Sequence, residues 1–282
     1  METALNKGRV TKKLHDKIVA CLFFEPSTRT RLSFETAVLR LGGQVIGMEN
    51  GSVSSSAFKG ESIPDTIKIV HGFADLIVMR HPQNGSAEVA AKTSKVPIIN
   101  AGDGGNEHPT QSLLDLYTIK QETGRLENLT FTMVGDLLYG RTIHSTLTML
   151  SLYPKNKFIF VAPKQLKLPE KYKAMLKNRK VSFKETENLA EGLKFADVIY
   201  MTRVQKERFS SKAEYEKLKL AYVFDAESLK QIKKSAVILH ALPRVGEIAE
   251  VVDKDPRAAY FRQAQNGLYV RMALLQYALG LM

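Results

Sequence analysis

Short apolar runs alternate with amphipathic stretches along most of the chain. Residues 17–24 form the first run, and Pro26 stops it. Phe34, Ala37, Val38 and Leu41 then recur at i, i+3, i+4 and i+7, one face of a helix that Gly42-Gly43 ends. Residues 44–49 read as a second strand. Residues 50–60 are rich in Ser and Gly, a mobile loop ending in Lys59-Gly60-Glu61-Ser62. A helix follows with Ile63, Ile67 and Val70 on its buried side. Strands are predicted at 74–79 and 96–100, and a helix carrying Leu113, Leu114 and Tyr117 runs to Gly124. A second series supplies strand candidates at 129–135, 157–161, 181–184, 198–202, 221–224 and 236–239, with helical stretches between most of them. Residues 256–282 read as a helix long enough to return to the first lobe. The alternation predicts an α/β fold of two doubly wound parallel-sheet lobes joined by helices. Their expected limits are 1–125, completed by 262–282, and 126–261.

Composition narrows the class. The chain has 282 residues, 44% hydrophobic and 25% charged, the balance of a globular protein with a sizeable core. Its one cysteine, Cys21, lies inside an apolar run, so no internal disulfide is possible and a reducing, cytoplasmic compartment is expected. No stretch reads as a membrane span or a signal peptide. The formal charge of +12 favours anionic partners. Many of the lysines, such as those from Lys164 to Lys180, fit a solvated helix face, and no aromatic-and-basic pattern points to nucleic acid.

Chemistry concentrates first at Ser27-Thr28-Arg29-Thr30-Arg31. Ser27 is a good N-cap, so the following residues form a first helical turn, with unpaired N–H groups and the positive dipole end. Hydroxyls from Ser27, Thr28 and Thr30 with guanidinium groups from Arg29 and Arg31 make a site for a dianion such as phosphate. In doubly wound sheets ligands collect beyond the carboxyl ends of strands. Arg80, His108, Arg141, Arg203 and Arg244 all fall at such predicted ends. His15, His71, His81, His108, His144 and His240 show no metal-ligand spacing. His108 stands apart because it precedes Pro109 at a helix start, where a neutral imidazole could donate to a carbonyl oxygen. Gly135-Asp136-Leu137-Leu138-Tyr139-Gly140-Arg141-Thr142 nearly matches a nucleotide P-loop, the basis of a rival phosphotransferase reading. Arg141 stands where that motif needs lysine, and bulky side chains fill the positions between the glycines.

Together, Ser27-Thr28-Arg29-Thr30-Arg31 and His108-Pro109-Thr110-Gln111 resemble the carbamoyltransferase family. Lys59-Gly60-Glu61, Gly140-Arg141-Thr142, Thr202-Arg203-Val204-Gln205 and Leu242-Pro243-Arg244 resemble its aspartate-accepting branch. The ornithine branch carries a Ser-Met-Gly loop and a His-Cys-Leu-Pro segment, and neither string occurs here; a different amino-acid acceptor is the alternative within the family. The resemblance implies carbamoyl transfer from carbamoyl phosphate to L-aspartate in pyrimidine synthesis, without metal or organic cofactor. It implies that Ser27, Thr28, Arg29 and Thr30 bind phosphate, and that Thr30, Arg80 and His108 polarise the carbamoyl carbonyl. Gln111 and carbonyls near Leu242 would hold the carbamoyl amide. Arg141, Arg203 and Gln205 would clamp aspartate. Ser55 and Lys59 would enter from a neighbouring subunit of a homotrimer, Lys59 also reaching aspartate, and a regulatory chain could associate. Three departures stand out. Ala241 replaces a frequent proline, which predicts a less restrained loop. Leu138 replaces a frequent lysine. The family's amino-terminal helical segment is longer than the one with which this chain begins.

Overall fold

The computed structural model describes residues 1, 5, 12–50, 59–206, 209 and 211–282, which divide into two compact units. Unit 1 comprises Met1–Thr110 with Gln265–Met282, and unit 2 comprises Gln111–Ala264. Most of residues 50–60, where a mobile loop is expected and which include Ser55, lie outside the described residues, as does most of the chain before Lys12.

Unit 1 runs β1 (Ile18–Phe23), α1 (Thr28–Arg40), β2 (Gln44–Glu49), α2 (Ile63–Val70), β3 (Leu76–His81), α3 (Ser86–Thr93) and β4 (Ile98–Asp103). Its sheet is wholly parallel in the order β2-β1-β3-β4. Side chains alternate across a strand, so a sheet covered on both faces needs apolar residues at successive positions. Val19, Cys21 and Phe23 pack on one side with Leu76 and Val78. The face of α1 formed by Phe34, Ala37, Val38 and Leu41 covers them, together with Met272 and Leu275. Ala20, Leu22 and Phe24 pack on the other side with Ile77, Met79 and Ile67. Helix α3 left no strong periodic signal because it buries only Ser86, Ala87 and Ala90, small residues that an apolar count passes over. Asp75 closes the entry to the sheet by accepting the Ile18 N–H and the Lys17 ammonium, each at 2.9 Å.

Helix α4 (Pro109–Thr123) leads into unit 2. There β5 (Thr130–Val134), α5 (Arg141–Leu150), β6 (Lys157–Val161), α6 (Glu170–Asn178), β7 (Ser182–Thr186), α7 (Leu189–Leu193), β8 (Val198–Met201), α8 (Lys212–Leu218), α9 (Ala226–Gln231) and β9 (Val237–His240) follow. The sheet order is β7-β6-β5-β8-β9, again all parallel. Phe131, Phe158 and Phe160 stack down one face, with centroid spacings of 5.3 and 6.2 Å. Ile143, Leu147 and Leu150 of α5 share their core. Val134, Val161, Ile199 and Met201 line the opposite face with Leu193 and Phe224.

The strand expected at 221–224 does not form. Phe224 makes only an isolated bridge to Ile248, and Asp225 caps α9 immediately after it. That apolar run anchors a loop instead of joining the sheet. Helix α10 (Tyr260–Ala278) starts later than expected, and its far end delivers Met272 and Leu275 to the unit 1 core. Among the described residues, no helix is long and apolar enough to cross a membrane.

Candidate active site

In unit 1, α1 begins directly beyond the carboxyl end of β1, so its first turn stands at the sheet's ligand-binding edge. Ser27 occupies the N-cap position, yet its side chain makes no capping hydrogen bond. The helix therefore starts where the sequence placed its N-cap. Thr28 and Arg29 are exposed, while Thr30 is buried. Arg31 does not join them. Its guanidinium is held by Glu35 one turn along, at 2.8 Å, and by Glu49 on β2. Its i,i+4 partner and Glu49 thus engage Arg31, the second arginine of the motif.

Arg80, at the end of β3, donates to Glu25 at 2.7 Å. The Phe24 N–H bonds the Arg80 carbonyl at 2.8 Å, holding the turn before Ser27 against β3. Glu25 was not singled out by sequence reasoning, although it adjoins the phosphate-like motif. His108 is buried in the residue before α4, with Nδ1 3.5 Å from the Thr110 hydroxyl. The turn that presents His108 is built around buried Asp103. That carboxylate accepts from Gly85 N–H at 3.0 Å and from Glu107 N–H at 3.1 Å. Lys59 is exposed.

In unit 2, Gln111 lies on the first turn of α4 and donates through Nε2 to Asp115 at 2.8 Å. Asp115 is fully buried and also accepts from Gln263 at 2.6 Å, Thr146 at 2.7 Å and Tyr200 at 2.9 Å. Burial outweighs the lowering by those four donors and leaves its carboxyl pushed up to about 6. Asp136, at the end of β5, takes the Tyr139 N–H at 2.9 Å and the Gln205 N–H at 3.3 Å. Burial raises its pKa, and Arg203 is among the groups lowering it. Gln205 also donates to the Tyr139 carbonyl at 2.8 Å, which fastens the segment 203–205 to the loop preceding Arg141. The aspartate-clamp candidates Arg141, Arg203 and Gln205 therefore share one scaffold, with Asp136 at its centre.

This scaffold closes the P-loop alternative. A nucleotide cradle turns its backbone N–H groups towards phosphate. Here the Gly135, Leu137 and Arg141 N–H groups donate to the carbonyls of Val161, Leu166 and Tyr139, at 3.0, 3.0 and 2.8 Å. Gly135 is required for another reason. Its φ is 114°, and a Cβ there would stand 2.2 Å from the Thr202 carbonyl oxygen. Replacing it with alanine should destabilise the fold by about 2–5 kcal/mol through backbone strain and overpacking. Urea unfolding of Gly135→Ala against the parent chain measures this directly.

The segment after β9 is tighter than Ala241 led us to expect. Leu242 takes a left-handed conformation (φ 55°), and its N–H donates to His240 Nδ1 at 2.7 Å. His240 Nε2 meets Glu247 at 2.7 Å, and the other Glu247 oxygen accepts the Val245 N–H at 2.9 Å. Buried side chains supply the restraint that a proline would have given. Arg244, counted in sequence among the cations at strand ends, is taken by Asp253 and lies over the rings of Tyr260 and Phe261, 5.7 and 5.8 Å from their centroids. It is a structural pair. No group of His, Cys, Asp and Glu suited to a metal ion occurs among the described residues.

The model of the aspartate/ornithine carbamoyltransferase carbamoyl-phosphate-binding domain matches residues 1–121, and that of the Asp/Orn-binding domain matches 127–278. The aspartate carbamoyltransferase catalytic subunit of Clostridium novyi is 53% identical over 98% of this chain and 90% of its own length. The Clostridium perfringens subunit is 55% identical over 94% and 86%. Among solved structures, the catalytic subunit of M. jannaschii aspartate transcarbamoylase superposes with a TM-score of 0.91 at 50% identity, over 99% of this chain and 90% of that one. The Trypanosoma cruzi enzyme in complex with carbamoyl phosphate and aspartate gives 0.91 at 39% identity, over 97% and 88%. With both domain models matched in order along nearly its whole length, the chain belongs to the aspartate/ornithine carbamoyltransferase family.

Proposed function

We propose that the chain transfers the carbamoyl group of carbamoyl phosphate to L-aspartate, giving N-carbamoyl-L-aspartate and phosphate, a step of pyrimidine synthesis. The observation that carries the reading is the start of α1. There Ser27, whose hydroxyl makes no capping hydrogen bond, stands at a helix N-terminus beside Thr28, Arg29 and Thr30. Such a terminus suits a phosphate that gains charge as it departs. In the reaction the aspartate amine attacks the carbamoyl carbon, the carbonyl oxygen takes negative charge, and the bond to the phosphate oxygen then breaks as the amine's proton passes to the departing phosphate. Thr30, Arg80 and His108 would stabilise that oxyanion. Gln111 and the Leu242 carbonyl would hold the amide, and Arg141, Arg203 and Gln205 the two aspartate carboxylates. The donor is already activated, so the mechanism calls on no metal or organic cofactor. The catalytic assembly would be a homotrimer, with Ser55 and Lys59 reaching a neighbour's site, and a regulatory chain could bind to it.

A carbamoylation assay with aspartate against ornithine tests the acceptor, and aspartate should be carbamoylated with ornithine inert. Calorimetry should show binding of N-(phosphonacetyl)-L-aspartate and no comparable binding of Mg-ATP. Tight ATP binding, with hydrolysis lost in Arg141→Ala, would overturn the reading.

A further inference from the structure

One buried chain of hydrogen bonds in unit 2 is not used by the roles above. It begins at a backbone N–H, whose direction is fixed. The His240 N–H donates to Gln263 Oε1 at 2.9 Å. Because that amide oxygen faces a donor, the Gln263 NH2 must point the other way, and it donates to Asp115 Oδ1 at 2.6 Å. The same carboxylate oxygen faces Gln111, so Gln111 also presents its NH2 inward, at 2.8 Å. Gln111 Oε1 is therefore left as the outward group, an acceptor. Thr146 and Tyr200 hold the second Asp115 oxygen at 2.7 and 2.9 Å. Asp115, Thr146, Gln263 and Tyr200 are each 2% exposed or less, so water does not compete for these bonds. The other end of the chain reaches Leu242, whose N–H is bound by the His240 ring at 2.7 Å.

We propose that Gln263 and Asp115 are positioning residues which fix the polarity of the Gln111 amide and tie it to the Leu242 segment, so that unit 2 presents acceptors to a primary amide. The inference rests on the reading that Gln111 and the Leu242 carbonyl hold the carbamoyl NH2. Its consequence is substrate choice. Two acceptors match the two N–H bonds of a carbamoyl group, whereas the methyl of an acetyl group leaves them unpaired. Leaving buried acceptors unmatched disfavours the analogue by about 10- to 100-fold.

The test uses two stable isosteres of the donor, phosphonoacetamide and acetonylphosphonate, which differ only by NH2 against CH3. Inorganic phosphate is the control. Calorimetry on the parent chain should show the amide preferred by about 10-fold or more. In Gln263→Met and in Asp115→Leu the preference should fall to within about threefold of parity, while phosphate affinity stays within about twofold. Asp115→Asn can still accept from Gln111 and Gln263 through its carbonyl and turn its NH2 to the two hydroxyls, so it should keep most of the preference. Full preference retained in Gln263→Met overturns the proposal even if Asp115→Leu fails to fold. Phosphate affinity lost in step with the amide preference also overturns it, since the cluster would then only support the fold. A parent chain without any preference refutes the amide assignment itself, a different failure from preference surviving in the variants.

Discussion

Arg29→Ala should lose carbamoyl transfer mainly in kcat, by about 100-fold or more, with a smaller change in the KM for aspartate. Arg29 is exposed at the first turn of α1, where the leaving phosphate would meet both the guanidinium and the helix N–H groups. Negative charge on that phosphate grows as its bond to carbon breaks, so the interaction is stronger in the transition state than in the bound substrate. Arg31 cannot substitute, since Glu35 and Glu49 already hold it. Arg203→Ala should behave differently. It removes a group that holds aspartate in ground and transition states alike, so the apparent KM for aspartate should rise while kcat at saturation changes less. Steady-state kinetics over both substrates separate the two cases. Unchanged aspartate saturation in Arg203→Ala would show that the segment 203–205 does not bind the acceptor.

The contrast between Arg29 and Arg31 shows where the sequence stops being informative. The strands were legible because parallel sheets covered on both faces demand continuous apolar runs, as 18–23 and 198–201 supply. Helix α3 was not, because alanines and a serine carry its buried face. The run at 221–224 misled because an apolar segment that anchors a loop looks the same as a short strand. Site residues in compact motifs could be named from sequence, since adjacent hydroxyls and arginines at a helix start suffice to suggest an anion. That Arg31 is held away from the motif depends on Glu49, which reaches it from β2. The support of Gln111 was half legible, since Asp115 lies four residues along the same helix. Gln263 was not, since 148 residues separate it from Asp115 and no local pattern marks it.

Arg29→Ala and Lys59→Ala should each be nearly inactive alone, yet recover activity when unfolded together in equal amounts and reassembled. The expectation follows from the proposed ring, in which the same loop of each chain enters the next chain's site. Lys59 is exposed at the end of the Ser- and Gly-rich segment. If it acts in a neighbour's site, a mixed ring contains sites that pair an intact Arg29 with a neighbour's intact Lys59. Random assembly makes that combination at about one site in four, so the mixture should regain about a quarter of the parent activity per site. If Lys59 served its own chain, every site in the mixture would still carry one lesion and no activity would return. The control is a mixture of each variant with itself, treated identically, which should stay inactive in both cases. Sedimentation or light scattering establishes that rings have reformed before activity is read. A reassembled, inactive mixture would place Lys59 in its own chain's site, and a Lys59→Ala variant active by itself would leave it a solvated loop lysine.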